Sequence, residues 1–335
     1  MNKRVSILGA GSWGMAVARL LNANGCQVKL WEFSRTEYEK LVAHRGIPDK
    51  LRGLVLADDI AFTHDLDEAV QTAELLVLAV PAQHVSSVMK QFSTPLKPGV
   101  AVVNLAKGIE NGTLRRMSEV VHQEIGLDPE LFATLSGPSH AEEVVKDIAT
   151  TVVVASSSEH LAGQLQTLFS NQNFRVYTSN DLVGVELGGA LKNIVAIGVG
   201  ITDGLGMGDN TRGALITRGL AEVARLGISL GARAETFAGL SGIGDLITTC
   251  TSRHSRNRYV GEKIGSGLRL DQVLASMTMV AEGVETTRAA RQLADRQRVE
   301  MPITQQVYEV LFEDKSPDQA ADELMGRTLK AEAWR

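Results

Sequence analysis

Arg4-Val5-Ser6-Ile7-Leu8-Gly9-Ala10-Gly11-Ser12-Trp13-Gly14 sets a short β-rich run directly before three glycines at GxGxxG spacing, and Met15 to Leu21 continue in a helical pattern. Each glycine has a physical use in a strand–turn–helix of this kind. Gly9 permits the tight turn, Gly11 lets a pyrophosphate approach the backbone, and Gly14 lets helix and strand pack closely. The spacing alone would also fit a Gly-rich turn that binds nothing. The strand before it and the helix after it favour a dinucleotide.

Outward from this turn, further β-rich runs lie at Gln27 to Trp31, Leu75 to Val80, Val100 to Leu105, Phe132 to Leu135 and Thr150 to Ala155, with helix-like segments between most of them. Apolar strands alternating with helices describe a parallel sheet covered on both faces. The expected fold class is therefore α/β, with an N-terminal Rossmann-like doubly wound sheet. Phe174 to Thr178 has the makings of one more strand. After it the apolar residues recur at three- and four-residue spacing, which predicts an all-helical C-terminal domain. Asn180 or Asp181 is the expected N-cap of its first helix, since either side chain can accept from the free N–H groups of the opening turn. The division expected is residues 1–180 for the nucleotide-binding domain and 181–335 for the helical domain, with a ligand between them.

The second strand ends in Trp31-Glu32-Phe33-Ser34-Arg35, where such a domain reads the adenosine ribose. Glu32 could accept from a ribose 2′-hydroxyl and favour NAD, whereas Arg35 could pair with a 2′-phosphate and favour NADP. Two solvated surface charges would look the same, so the cofactor stays NAD or NADP. Ligands of a doubly wound sheet sit beyond the carboxyl ends of its strands, which draws notice to the loops after Val80, Leu105 and Leu135. Lys107, in Ala106-Lys107-Gly108, could deliver a point charge to a phosphate or carbonyl oxygen, or simply be solvated. Gly137 and Ser139 could offer donors, or form an ordinary turn around Pro138.

In the second half Lys192 stands in Gly188-Gly189-Ala190-Leu191-Lys192-Asn193-Ile194-Val195, among small and apolar residues of a predicted helix. An ammonium left unpaired there costs several kcal/mol, so a partner or a purpose is expected unless the side chain snorkels to solvent. Gly188, one turn before it, invites another backbone or a ligand to the same face. A second cluster runs from Leu240-Ser241-Gly242-Ile243-Gly244-Asp245 through Thr249 to Ser255-Arg256-Asn257-Arg258. A helix from Ser255 to Lys263 would set Ser255 and Arg256 at its N-terminus, where free N–H groups and the dipole favour an anion such as phosphate. A basic solvated helix is the plain alternative, and His254 reads as a surface histidine rather than a catalyst.

The totals bound the function class. The chain has 335 residues, 44% apolar and 22% charged, with a net charge of -5 that argues against generic nucleic-acid binding. Cys26 and Cys250 have no spacing that implies a disulfide framework or a zinc site, and no metal is expected. The N-terminus enters a strand directly instead of a signal-peptide apolar region, so a cytoplasmic location is expected. Val183 to Thr202 is interrupted by Glu186 and Lys192 and reads as a buried helix, with no membrane insertion expected.

At these residues the sequence closely resembles the bacterial-type NAD(P)-dependent glycerol-3-phosphate dehydrogenases. The resemblance spans nearly the whole chain, from GAGSWG through NLAKGI, LSGPSHAEE, GGALKNIVAIGVGITDGLGMGDNTRGALITRGL and GIGDLITTCTSRHSRNRYVG to VAEGVETT and EMPIT. It implies reversible NAD(P)-dependent reduction of dihydroxyacetone phosphate to sn-glycerol 3-phosphate, supplying phospholipid synthesis, with the active site between the domains. It further implies that Lys192 donates and accepts the proton at the C2 oxygen, with Lys107 and Asp245 beside it. Lys107, Gly137, Ser139, Asp245, Ser255, Arg256 and Asn257 would hold the substrate, and Asn193 and Thr249 match polar positions near it. Beyond the glycines, Ser12, Trp13, Phe33, Lys107, Ala141, Arg256, Val280 and Glu282 would touch the cofactor. The alternatives are a dehydrogenase of another hydroxy acid and a non-catalytic NAD(P)H sensor. The assembly stays open between a single chain and a homodimer.

Overall fold

The structure is a computed structural model that describes residues 3–329, 331 and 332. Residues 333–335, with which the expected helical domain ends, lie outside the described residues. Eight strands form one sheet: β1 Arg4–Leu8, β2 Gln27–Trp31, β3 Ala61–Thr63, β4 Leu75–Leu78, β5 Ala101–Asn104, β6 Phe132–Ser136, β7 Thr150–Ser156 and β8 Phe174–Ser179. Their order across the sheet is β3-β2-β1-β4-β5-β6-β7-β8. All neighbours pair parallel except β6 and β7. The first six strands thus carry the doubly wound order, and the reversal between β1 and β4 opens a crevice at their carboxyl ends.

The fully buried β4 and β5, Leu-Leu-Val-Leu and Ala-Val-Val-Asn, carry almost nothing polar because helices cover both faces. Two features depart from the sequence expectation. β3 has only three residues, too few to display an alternation, and exists because Ala61, Phe62 and Thr63 pair with Lys29, Leu30 and Trp31. β7 runs antiparallel to β6, because the segment joining them holds only the one-turn helix Ala141–Val144. Such a helix spans about 6 Å and cannot carry the chain back along the length of a strand.

The helical half is organised by Leu182–Gly204, whose N-cap is Asp181 accepting from the Gly184 N–H at 2.9 Å. This helix is long and apolar enough to cross a membrane, yet 89% of its most apolar window is buried inside the protein. Its Glu186 is neutralised internally, accepting from Arg116 at 2.7 Å and from the Ser118 N–H at 2.8 Å. Helix Arg256–Gly265 crosses it at backbone contact, made possible by Gly200 and Gly204 on one helix and Gly261 and Gly265 on the other. A Cβ on Gly200 or Gly261 would fall onto the carbonyl oxygen of Arg258 or Ile197 respectively. That contact brings the start of the second helix beside Asn193. On the same central helix Gly188 admits the Leu240–Gly244 turn, since a Cβ there would stand 2.6 Å from the Ser241 carbonyl oxygen. The turn leads into helix Asp245–Thr251, and Asp245 arrives opposite Lys192.

Candidate active site

The carboxyl ends of the parallel strands and the helical half enclose a cavity of about 540 Å³. At one end lies the Gly-rich turn. Gly9 has φ 113°, and a side chain there would strike the backbone of Ala79 and Val80 at 2.8–2.9 Å. A Cβ on Gly14 would run into the Gly9 carbonyl oxygen, whereas a Cβ on Gly11 meets open space. The backbone is therefore bare on the cavity side, above the N-terminus of helix Ser12–Ala23, and a pyrophosphate fits this cradle.

Trp31, Glu32, Phe33 and Lys50 line the adjoining part of the cavity. Glu32 is buried, accepts from the Ser34 N–H at 2.9 Å and lies 3.5 Å from the Lys50 ammonium. Phe33 is 65% exposed and meets Trp31 edge-on. Arg35 is on the surface, paired with Glu39 at 3.1 Å, and does not line the cavity. Ser12 donates to the Lys50 carbonyl at 2.7 Å and touches the Met279 sulfur at 3.0 Å, so the helical half closes over the turn. Glu282 closes a second link by accepting from the Ala82 N–H at 3.0 Å. Burial lifts its carboxyl to about 7.

Deeper in the cavity, Lys192 donates to Asp245 Oδ1 at 2.6 Å and also to the Thr249 hydroxyl. Lys107 donates to Asp245 Oδ2 at 2.7 Å and to the Gly137 carbonyl at 3.1 Å. One carboxylate thus bridges two ammonium groups, leaving an excess positive charge around the buried Asp245. Burial lowers Lys192 to about 8, against the pull of Asp245, and the like charge of Lys107 lowers it further. The two lysines hold the Asp245 carboxyl below its ordinary range although burial acts the other way. Such a lysine stands closer to the exchange between ammonium and amine at neutral pH than an ordinary lysine does.

The third region is the start of helix Arg256–Gly265. Ser255 is its N-cap, accepting from the Arg258 N–H at 3.2 Å. Arg256 donates to the Val280 carbonyl at 2.8 Å, with its guanidinium on the cavity. Asn257 donates to Asn193 at 2.9 Å and accepts from the Gly283 N–H at 2.9 Å, and Asn193 lies 3.4 Å from the Lys107 carbonyl. The helix start is thereby fixed relative to the lysines.

Of the residues singled out from sequence, Gly9, Gly11, Ser12, Trp13, Phe33, Lys107, Ser139, Ala141, Lys192, Asn193, Asp245, Thr249, Ser255, Arg256, Asn257, Val280 and Glu282 all line this cavity. Gly14 and Gly137 do not. Gly14 packs behind the turn, and Gly137, at φ 134°, lies behind Lys107 and fixes its amine. His254, read as a surface residue, also lines the cavity, and so do Lys50, His140 and Met279, which the sequence reading left out. No periodicity marks those three. Only the neighbourhood of His140 to Ser139, and of Met279 to Val280, would have drawn notice.

Residues 4–162 match the family model described as NAD-dependent glycerol-3-phosphate dehydrogenase N-terminus, and residues 181–322 match the C-terminus model of the same description. A glycerol-3-phosphate dehydrogenase [NAD(P)+] of Pelotomaculum thermopropionicum is 52% identical over 328 residues, covering 98% of this chain and 94% of that one. One from Geobacter sulfurreducens is 51% identical over 337 residues, with both chains covered completely. Among solved structures, glycerol-3-phosphate dehydrogenase from Coxiella burnetii superposes with a TM-score of 0.94 at 36% identity, over 97% of this chain and 99% of that one.

Proposed function

The chain belongs to the NAD-dependent glycerol-3-phosphate dehydrogenase family and is an NAD(P)-dependent oxidoreductase that reduces dihydroxyacetone phosphate to sn-glycerol 3-phosphate; from this premise we propose how its own residues carry the reaction. Lys192 is the proton donor to the C2 oxygen, and Asp245 with Lys107 sets its charge. The bound nicotinamide supplies the hydride that adds to C2. As that bond forms, charge develops on the C2 oxygen, and an ammonium already fixed in a desolvated pocket neutralises it without reorganising. Lys192 then gives up its proton and becomes an amine facing Asp245 and the Thr249 hydroxyl. In the oxidative direction the neutral amine takes the hydroxyl proton.

Arg256 and the N–H groups after Ser255 hold the substrate phosphate at the far end of the cavity. Binding energy from this non-reacting group orients C2 toward Lys192. Gly9, Gly11 and the first turn of helix Ser12–Ala23 hold the cofactor's pyrophosphate, and Trp31, Glu32, Phe33 and Lys50 take its adenosine end. The proposal keeps the division at 180/181, supported by β8 ending at Ser179 and the first long helix beginning at Leu182. It keeps a cytoplasmic location too, which the buried, unbridged Cys26 and Cys250 suit.

The observation that carries this reading is the doubly paired Asp245, which aims two lysines into the cavity that the Gly-rich turn also enters. The test is a spectrophotometric assay with dihydroxyacetone phosphate, run with NADH and again with NADPH. Oxidation of either cofactor, dependent on the triose phosphate, is expected. Turnover of a hydroxy acid's keto form with none of dihydroxyacetone phosphate would refute it.

A further inference from the structure

Glu32 follows β2 beside the nucleotide cradle, and its backbone is pinned on both sides of the strand. The Gly9 N–H donates to the Trp31 carbonyl at 3.0 Å, and the Glu32 N–H donates to the Thr63 carbonyl at 3.1 Å. Lys50 arrives from another direction, its carbonyl accepting from the Ser12 hydroxyl at 2.7 Å, at the first turn of the helix that follows the glycines. Its ammonium stands 3.5 Å from Glu32 and 3.4 Å from Glu37. Both Glu32 and Lys50 line the cavity and keep some open surface, 10% and 18% of their side chains respectively. Lys40 belongs to the same cluster, 3.0 Å from Glu37 and 3.1 Å from Asp49. Three carboxylates therefore meet two ammonium groups, and the cluster keeps one negative charge in excess.

A doubly wound nucleotide domain reads the adenosine ribose at this strand end, and NADP differs from NAD only by a phosphate on that ribose. The phosphate brings about two negative charges at pH 7 and needs a cation to meet them. Among the described residues, the lysine and arginine side chains that line the cavity are Lys50, Lys107, Lys192 and Arg256. Asp245 holds Lys107 and Lys192, and Arg256 lies at the start of its own helix in the other half. Lys50 alone is at the adenosine end, and two glutamates already share its charge. Arg35 is exposed and paired with Glu39. A 2′-hydroxyl makes no such demand, since it can donate to a carboxylate and adds no charge. We infer that the chain prefers NAD(H) to NADP(H), that Glu32 sets the preference, and that Lys50 tempers it. Juxtaposed like charges discriminate strongly, but solvent reaches this cluster and screens part of the effect, so the expected margin is about 10- to 100-fold.

The inference takes the dinucleotide site of the proposed function as given, and direct binding separates the two. Dissociation constants of NADH and NADPH are measured by isothermal titration calorimetry without substrate, beside kcat/KM for each with dihydroxyacetone phosphate. The wild type is expected to bind NADH more tightly by the margin above. Glu32→Gln can still accept from the Ser34 N–H, but it removes the charge and leaves Lys50 freer to meet a phosphate. Its preference for NADH should fall by about tenfold or more, chiefly through tighter NADPH binding. Lys50→Gln should move the preference the other way, through weaker NADPH binding, and it decides the matter should Glu32→Gln fail to fold. A pair that merely holds the loop in place would weaken both cofactors alike and leave their ratio unmoved, which overturns the role of Glu32. Equal wild-type affinities, or tighter NADPH, overturn the preference. Nucleotide binding without turnover of dihydroxyacetone phosphate overturns the proposed reaction, and the binding ratio still decides this inference. Binding of neither nucleotide overturns both.

Discussion

Lys192 donates to Asp245 at 2.6 Å, an ion pair that joins the middle of the Leu182–Gly204 helix to the first residue of the Asp245–Thr251 helix. Neither charge would be stable there alone, because each is buried and an isolated ion in such a place costs several kcal/mol. Together with Lys107 they form a three-charge unit whose surplus proton can be lent to a substrate oxygen.

Lys192→Ala is expected to lower kcat by about 10³-fold or more, since it removes both the acid and the charge that meets the developing alkoxide. Asp245 keeps Lys107 as its partner, so the fold and the nucleotide site should persist. Tryptophan quenching on NADH addition tests cofactor binding, and turnover within tenfold of the wild type would remove Lys192 from the mechanism.

The pH profiles follow from the same pair. Reduction needs the ammonium and should decline as pH rises through about 8, whereas oxidation needs the amine and should climb through the same value. Asp245→Asn deletes the charge that favours the ammonium, so Lys192 should lose its proton at lower pH and both profiles should move in the acid direction, with reduction at pH 7 falling by about 10²-fold. Profiles that keep their wild-type midpoints in the variant would separate Asp245 from the titration.

Gly188→Ala would drive a methyl against the Ser241 carbonyl, 2.6 Å from the new Cβ, and push Asp245 away from Lys192. A loss of about 1–3 kcal/mol in urea unfolding and a fall in kcat of at least tenfold are expected. Gly163→Ala is the contrasting case. It lies inside helix Glu159–Phe169 with open space around a Cβ, so about 0.5–1 kcal/mol of added stability is expected with activity unchanged. Equal stability effects in the two variants would discredit the close-approach argument.

Glu222 caps helix Pro302–Phe312 from inside the core, accepting from the Ile303 N–H at 2.6 Å and from the Thr304 N–H at 3.1 Å. Burial raises its carboxyl to about 7, above the unfolded value near 4.5. The folded chain therefore binds more protons than the unfolded one between those values, and the contribution of Glu222 to stability declines as pH rises through that window. Glu222→Gln cannot titrate, so its stability curve between pH 5 and 8 should be flatter than that of the wild type, whatever its offset. Urea midpoints across that range that run parallel for the two proteins would contradict the assignment.

Much of this was legible in the residue order because local physics writes it there. The strand, turn and helix around Gly9, Gly11 and Gly14 follow from spacing, and β1 and β2 fall where the apolar runs end. Lys192 is conspicuous because a charge within an apolar helix demands an explanation. β3 was not legible, since three residues carry no period and pair only because β2 is there to receive them. The direction of β7 was not legible either, because it depends on how far a connection can travel.

Sequence by itself determined the nucleotide cradle, the split between a sheet-forming and a helix-forming half, and the short list of polar residues that stand out from their surroundings. Tertiary structure alone decided that Lys107 and Lys192 share the Asp245 carboxylate, that Lys50 lies beside Glu32, and that His140 and Met279 line the cavity. The reason is one of range. Propensity and periodicity act over a few residues, whereas the field at a buried charge is set by groups 53 to 138 positions away in the chain that packing alone brings within 3 Å.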